Sequence, residues 1–546
     1  MSTHVDFRRQ PVPQQLSLSH ASMVLPAPLR GLIETENWSF TKPGSAVVLN
    51  NWFPTQRGIR LRGGIEFWCQ VPDPIEPIVS SFDYIHAGVN RMYASTPSRL
   101  FDVTFDVPTL LFDVSNGNFA SAQLANAGGD YLIAVNDNGE HALRFDGTDW
   151  ASLDSSYVGT PSRITGPLGT SVEDGTGLTY VWKYRNRLFF IQGGTMDAWY
   201  LPLNAVGGIL DLVPLSGAAT RGGSLLWGGA WTVDGGDGGV DDKCVFGTTE
   251  GELLIFSGSN PGDAQNWRQE GRYDLSRPLG KNANIRVGGD LLVATIDGIV
   301  PVSAAMTKDP AALSLSAVSL NVEPMWTRET RTKSVLPWTM HKWDERDAMF
   351  VSFPGGTTYD TKACGVINLH TGAWARYTGW DATCFMKLRE AMFFGTQDGK
   401  IFMADQTGTD DGNIYVATMV GGWEMFQSPP NQITWLQARA SFFSRPSEPF
   451  EPQITSAVDY TVNIPSPPPV RAITNIYDVW NLGLWDEALW DQVAPKPVVS
   501  NTMWTSIGIT GFSHAPIVQV SVSQQSKPEV ELIAIAATYS RLAVNV

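Results

Sequence analysis

The chain is poor in charge, in cysteine and in long apolar runs, and each shortage excludes something. Only 17% of its 546 residues are charged, low for a soluble protein. Acidic residues outnumber basic ones, 54 to 38, for a formal charge of −16. That balance disfavours global steering toward nucleic acid and favours solubility. The four cysteines, Cys69, Cys244, Cys364 and Cys384, lie far apart and form no C-x-x-C pair. Neither a zinc site nor a redox motif is indicated, and four buried thiols in a reducing compartment are expected. No run of about 18 apolar residues exists, so a spanning helix is excluded. The first fifteen residues, MSTHVDFRRQPVPQQ, lack an apolar stretch, and no signal peptide is expected.

Signatures of catalysis are also missing. The chain has no H-E-x-x-H, no G-x-S-x-G and no phosphate loop. Its seven histidines do not cluster, and His86 and His341, beside expected strands, are read as structural. Propeller glycosidases need two carboxylates across a pocket, but the carboxylates here fall mostly in turns, where Asp is favoured for backbone reasons. We therefore expect no catalytic residues and no cofactor. Two readings stay open for the loop carrying Asp234, Asp237, Asp241 and Asp242. It is a glycine-backed calcium site or a solvated loop, and its spacing does not match the EF-hand. Thr409-Asp410-Asp411-Gly412 reads as an ordinary turn by the same reasoning.

What the chain does have is glycine (52), proline (35), aromatics (11%) and a repeated hairpin, which together favour many short strands. Residues Lys387 to Asp405 show the unit clearly: Ala391–Phe394, a turn at Gln397-Asp398-Gly399, then Ile401–Met403. Asp-Gly between apolar runs predicts a hairpin with a type I′ turn. Similar runs open at Arg91, Asp130, Arg187, Lys243, Asp290, Asp347 and Ala391, with spacings of 39, 57, 56, 47, 57 and 44 residues. Several copies end on a tryptophan after a polar turn, at Trp150, Trp267 and Trp374. A period of roughly 40–57 residues built from four short strands is the sequence signature of a β-propeller blade.

The expected architecture is all-β: an irregular β-propeller of about six to seven blades with a C-terminal β-rich domain. Residues 1–45 form an N-terminal arm and the start of a lead-in segment, 46–428 the propeller and 429–546 a docking domain. Met1–Ala27, polar and proline-broken, reads as an extended arm, disordered alone or ordered against a partner. The stretch Asn413–Gln427 supplies a last strand pair. If the ring closes, strands of the segment Ala46–Trp68 should pair near the last blade. In the C-terminal part, Trp480, Trp485 and Trp490 each precede Asp or Asn at a five-residue spacing that fits neither helix nor strand. Consecutive tight turns are expected there, either docking on a neighbouring subunit or capping their own domain.

The lead-in has Pro43-Gly44-Ser45-Ala46, Leu49-Asn50-Asn51, Phe53-Pro54 and Gly58-Ile59-Arg60-Leu61-Arg62-Gly63-Gly64. Followed by an irregular propeller and the Trp-Asp triplets, this order resembles the tail nozzle (tail tubular protein B) family of short-tailed bacteriophages and the related packaged-DNA stabilisation proteins. The resemblance spans nearly the whole chain. It implies a virion protein, assembled in the host cytoplasm into a homo-hexameric ring below the portal and adaptor. Tail fibres or tailspikes would be further partners, and double-stranded DNA would pass without sequence-specific binding. The family has no catalytic residues to carry over. An acidic lumen, expected from the net charge, would let DNA slide without sticking. The alternatives are a propeller protein-binding scaffold and a propeller glycoside hydrolase.

Overall fold

The computed structural model describes residues 20–34, 42–232, 242–263, 265–309, 312–426, 432–445, 450–470, 496–524 and 526–541. Its central feature is a β-propeller. Six four-stranded blades and one three-stranded sector follow one another along the chain, each beginning with its innermost strand. The innermost strands, in order, are Ser80–His86, Phe119–Asn126, Leu178–Tyr184, Leu225–Trp231, Asn284–Val287, Met340–Trp343 and Cys384–Leu388. We number the sectors 1 to 7 from these strands. Sector 5 has three strands, and after it the chain forms the helices Val302–Thr307 and Glu323–Lys333.

The apolar runs found in the sequence are the second strands of these sectors. They are buried almost throughout, as in Gly129–Asn136 and Ala348–Phe353, because neighbouring sheets cover both of their faces. The three marker tryptophans open outermost strands: Trp150 and Trp374 start theirs, and Trp267 directly precedes Arg268–Asp274. One local detail differs from expectation. In the turn at Asp398-Gly399 only Gly399 has positive φ, at +70°, with its N–H on the Thr396 carbonyl at 3.3 Å. This is a longer turn ended by a left-handed glycine, not type I′.

The ring closes by a strand from the wrong end of the chain. Ile65–Gln70, which lies before sector 1, is the outermost strand of sector 7 and pairs with Lys400–Ala404. The hairpin of Lys387–Asp405 is therefore the core of the closing blade, as the lead-in was expected to allow. Closure removes the free edge that an open array would leave.

The rest of the lead-in does not follow the expected division at residue 46. Ala46–Asn50 pairs with Tyr415–Gly421 and touches Arg376 of sector 6, so sector 6 continues into an eight-stranded sheet that includes His514–Val522 and Pro452–Val458. Tyr415–Gly421, expected as a last propeller strand, belongs to this extension. Trp52–Pro54 and Ile59–Leu61 join a second sheet through Val530–Arg541, which also pairs Ile433–Ser444. The described end of the arm, His20–Pro26, pairs with residues 534–540 of its own chain, and residues 1–19 lie outside the described residues. One apolar core containing Trp52, Trp326, Trp338, Trp374 and Trp435 runs from sector 5 into these sheets.

Where the parts meet, one guanidinium is buried. Arg62 is 1% exposed and spends all five N–H donors. Its two Nη atoms reach the carboxylate of Asp410 at 2.7 and 2.8 Å. Nη1 also donates to the Gly63 carbonyl, Nη2 to the Thr378 carbonyl and Nε to Asn51 Oδ1. Asn51 in turn donates to Thr378 Oγ1 and the Val416 carbonyl. The Tyr415 ring lies 4.1 Å from the guanidinium, and its hydroxyl donates to the Arg62 carbonyl. Thr409–Gly412 is thus more than the ordinary turn read from sequence, since Asp410 also accepts from Tyr359 at 3.0 Å. The glycines beside Arg62 are needed for approach: a Cβ on Gly64 would sit 1.9 Å from the Thr409 carbonyl oxygen.

Arg62→Ala strands Asp410 as a buried, unpaired charge, and a loss of about 3–5 kcal/mol is expected. A lowered urea midpoint reads it. Replacing both partners, Arg62→Met with Asp410→Leu, is expected to cost less than the sum of the single changes.

Candidate functional site: the central channel

The innermost strands enclose a cavity of about 240 Å³ on the propeller axis. Six of the seven sectors contribute to its wall, all but sector 4. Inner strands are less apolar than second strands because one face looks onto this space: Ser80–His86 alternates buried and partly exposed residues along Ser80 to Tyr84. Hydroxyls on the wall are largely tied to backbone. Ser81 Oγ donates to the Phe385 carbonyl at 2.8 Å, linking sectors 1 and 7, and Thr339 Oγ1 donates to the Thr383 carbonyl at 3.3 Å.

Lys281, just before sector 5, braces the ring across this axis. Its ammonium donates to the Asn118 carbonyl and Asp137 Oδ1, both at 2.6 Å, and to the Thr179 carbonyl at 3.1 Å. All three donors are used, on sectors 2 and 3. Burial lowers its pKa against the pull of Asp137.

Two titratable side chains face the cavity without such partners. Burial pushes the Asp83 carboxyl up to about 6, its own backbone amide and Lys387 opposing. Burial likewise pushes the His341 imidazole down to about 4, with Lys387 adding to the effect. At neutral pH the wall therefore carries a carboxylate and a neutral imidazole. His341 stacks on Phe385 with centroids 6.0 Å apart.

The residues singled out from sequence fare differently. Trp480, Trp485, Trp490, Asp234, Asp237 and Asp241 lie outside the described residues. Asp242 is buried at 2% exposure, and its backbone carbonyl accepts from the Tyr184 hydroxyl at 2.8 Å, so this end of the loop is not solvated as one reading expected. His86, read as structural, pairs with Asp130 at 2.8 Å on the blade surface. His341, read the same way, stands in the channel wall. Asp83 was not singled out at all. Its signal was the strand SSFDYIH, where an acid occupies a position that alternates with buried aromatics. The four cysteines are buried and reduced.

No family model matches the sequence, and no curated protein matches it. Among solved structures, the β-propeller domain of Myceliophteria thermophila Cps50 (Swd1) aligns at 12% identity and a TM-score of 0.39, covering 62% of this chain and 99% of that one. Saccharomyces cerevisiae Sqt1 aligns at 11% identity and TM-score 0.37, over 64% of this chain and 86% of its own. The computationally designed Ika8 protein aligns at 11% identity and TM-score 0.34, over 62% and 99%. The strand order itself is that of a β-propeller.

A carboxyl whose folded pKa is raised contributes stability that is complete below its unfolded value and is lost as pH rises through about 6. Asp83→Asn is therefore expected to stabilise the protein at pH 8, by up to about 3 kcal/mol. The gain over wild type should fade by pH 4. Paired urea titrations at the two pH values check this, and a gain of equal size at both would contradict it.

Proposed function

We propose that this chain is a non-catalytic propeller scaffold, built to be part of a larger assembly. The observation that carries the reading is the shared sheet. Sector 6, the lead-in strand Ala46–Asn50 and the C-terminal strands form one hydrogen-bonded sheet of eight, which holds the propeller and the C-terminal part as a single body. Such a body presents fixed surfaces to partners. Among the described residues, no helix is long and apolar enough to cross a membrane.

A finer reading is a subunit of the tail nozzle ring of a short-tailed phage, located in the virion. It would meet the adaptor and tail fibres, with packaged DNA passing through the ring. One observation favours it. The lead-in motif that carries the resemblance supplies the buried knot, through Asn51, Arg62, Gly63 and Gly64. The resemblance thus falls on residues that the fold depends on. In this reading DNA runs between subunits, since the propeller's own channel is a small cavity braced by Lys281.

Negative-stain images with light scattering separate the readings. A ring of six times the monomer mass is the nozzle's expected outcome, and a monomeric disc rejects it while leaving the scaffold standing. Release of reducing sugar from polysaccharide by the purified protein would reject both.

A further inference from the structure

The channel wall holds two polar groups whose needs the protein does not meet. Asp83, on the inner strand of sector 1, forms no ion pair among the described residues. The cation acting on it is Lys387 of sector 7, whose ammonium is bound to Glu345. A lone, largely desolvated carboxylate is costly, and a site that keeps one has room for an opposite charge. On the inner strand of sector 6, His341 Nε2 is buried with no hydrogen-bond partner. Both residues line the same cavity, together with Tyr180, Phe119 and Phe385.

We propose that the channel cavity binds a primary ammonium group carried on a short alkyl stem. The charge sign selects it: an anion would be repelled by Asp83, and an apolar guest would leave that carboxylate unpaired. An ammonium donates an N–H to the Asp83 carboxylate, a charge-assisted hydrogen bond. Its methylenes and charge rest against the aromatic wall, which favours organic cations. Size agrees as well, because about 240 Å³ is below the range of drug-sized pockets, roughly 300–1,000 Å³. A metal is the weaker fit, since the described residues hold no group of three or more His, Cys, Asp or Glu ligands. The ammonium can belong to a free amine or to a lysine side chain entering the channel. The inference stands apart from the assembly reading and survives if no ring forms.

Lys387, paired with Glu345, acts on both Asp83 and His341, and Asp344 and Glu345 act on His341. Cys384 of sector 7 and Tyr180 of sector 3 keep their protons, burial raising both. Between pH 8 and 5, Asp83 is the wall group whose charge is lost, so binding should weaken about tenfold.

The test is saturation-transfer NMR on the full chain with butylammonium chloride and with an acetyl-Gly-Lys-Gly-amide peptide. Butan-1-ol serves as the neutral control and sodium chloride matches ionic strength. Saturable binding with Kd on the order of 1 mM is expected at pH 8. It should fall about tenfold at pH 5 and at least tenfold in Asp83→Asn. Binding of the peptide assigns the ammonium to a protein side chain, and binding of butylammonium alone assigns it to a free amine. No saturation by either, equal binding of butan-1-ol, or an unchanged affinity in Asp83→Asn overturns the proposal. If that variant does not fold, the wild-type comparison of pH 8 with pH 5 decides alone.

Discussion

A buried guanidinium is stable only where every donor finds an acceptor and its charge finds a counter-charge, and Arg62 meets both conditions through residues far apart in the chain. Asn51, Thr378 and Asp410 belong to the lead-in, the outer strand of sector 6 and the loop after sector 7. Thr378 and Asp410 meet Arg62 only where the lead-in is seated against sectors 6 and 7. Desolvation opposes the charge, and Asp410 outweighs it enough to keep the guanidinium protonated. The knot therefore makes closure and docking mutually dependent. A propeller with a loose seventh sector would leave an unpaired charge inside its own seam.

Ring closure raises the same long-range problem in another form. The outer strand of sector 7 comes from residues 65–70, more than 300 positions before its partner Lys400–Ala404. Loop closure of that length costs entropy that local hairpins do not. The favourable side lies in the many contacts made at once: Gly63 and Gly64 pass against the backbone of residues 405–409 so closely that no side chain would fit. Short hairpins thus come from local sequence, while the order of the ring comes from one segment at its seam.

That division explains how much could be read from the sequence. Second strands are covered on both faces by neighbouring sheets, so Leu188–Ile191, Cys244–Phe246 and Leu291–Ala294 read as plain apolar runs and mark each sector. Inner strands such as Ser80–His86 share their pattern with any half-exposed strand, so the channel wall left no distinct trace. The lead-in was legible as strands but not as to partner. Alternation in Ile59-Arg60-Leu61-Arg62 marks Ile59 and Leu61 as inward and sets Arg62 on the opposite face, and nothing local says that Arg62 is itself buried against Asp410. Asp410 itself hid in a turn sequence, where an acid is expected for backbone reasons alone.

The two buried acids make a useful contrast. Asp410 is paired with Arg62, accepts from the Tyr359 hydroxyl, and links the parts of the chain that touch it. Asp83 is partly exposed to the channel and has no bound cation, and burial by the surrounding wall works against its charge. A neutral Asn or Ser would satisfy an inner strand at less cost. Fold stability alone accounts for the first acid and not for the second. The channel thus holds chemistry set against the fold's own stability, and stored disadvantage of that kind is typical of sites that bind something.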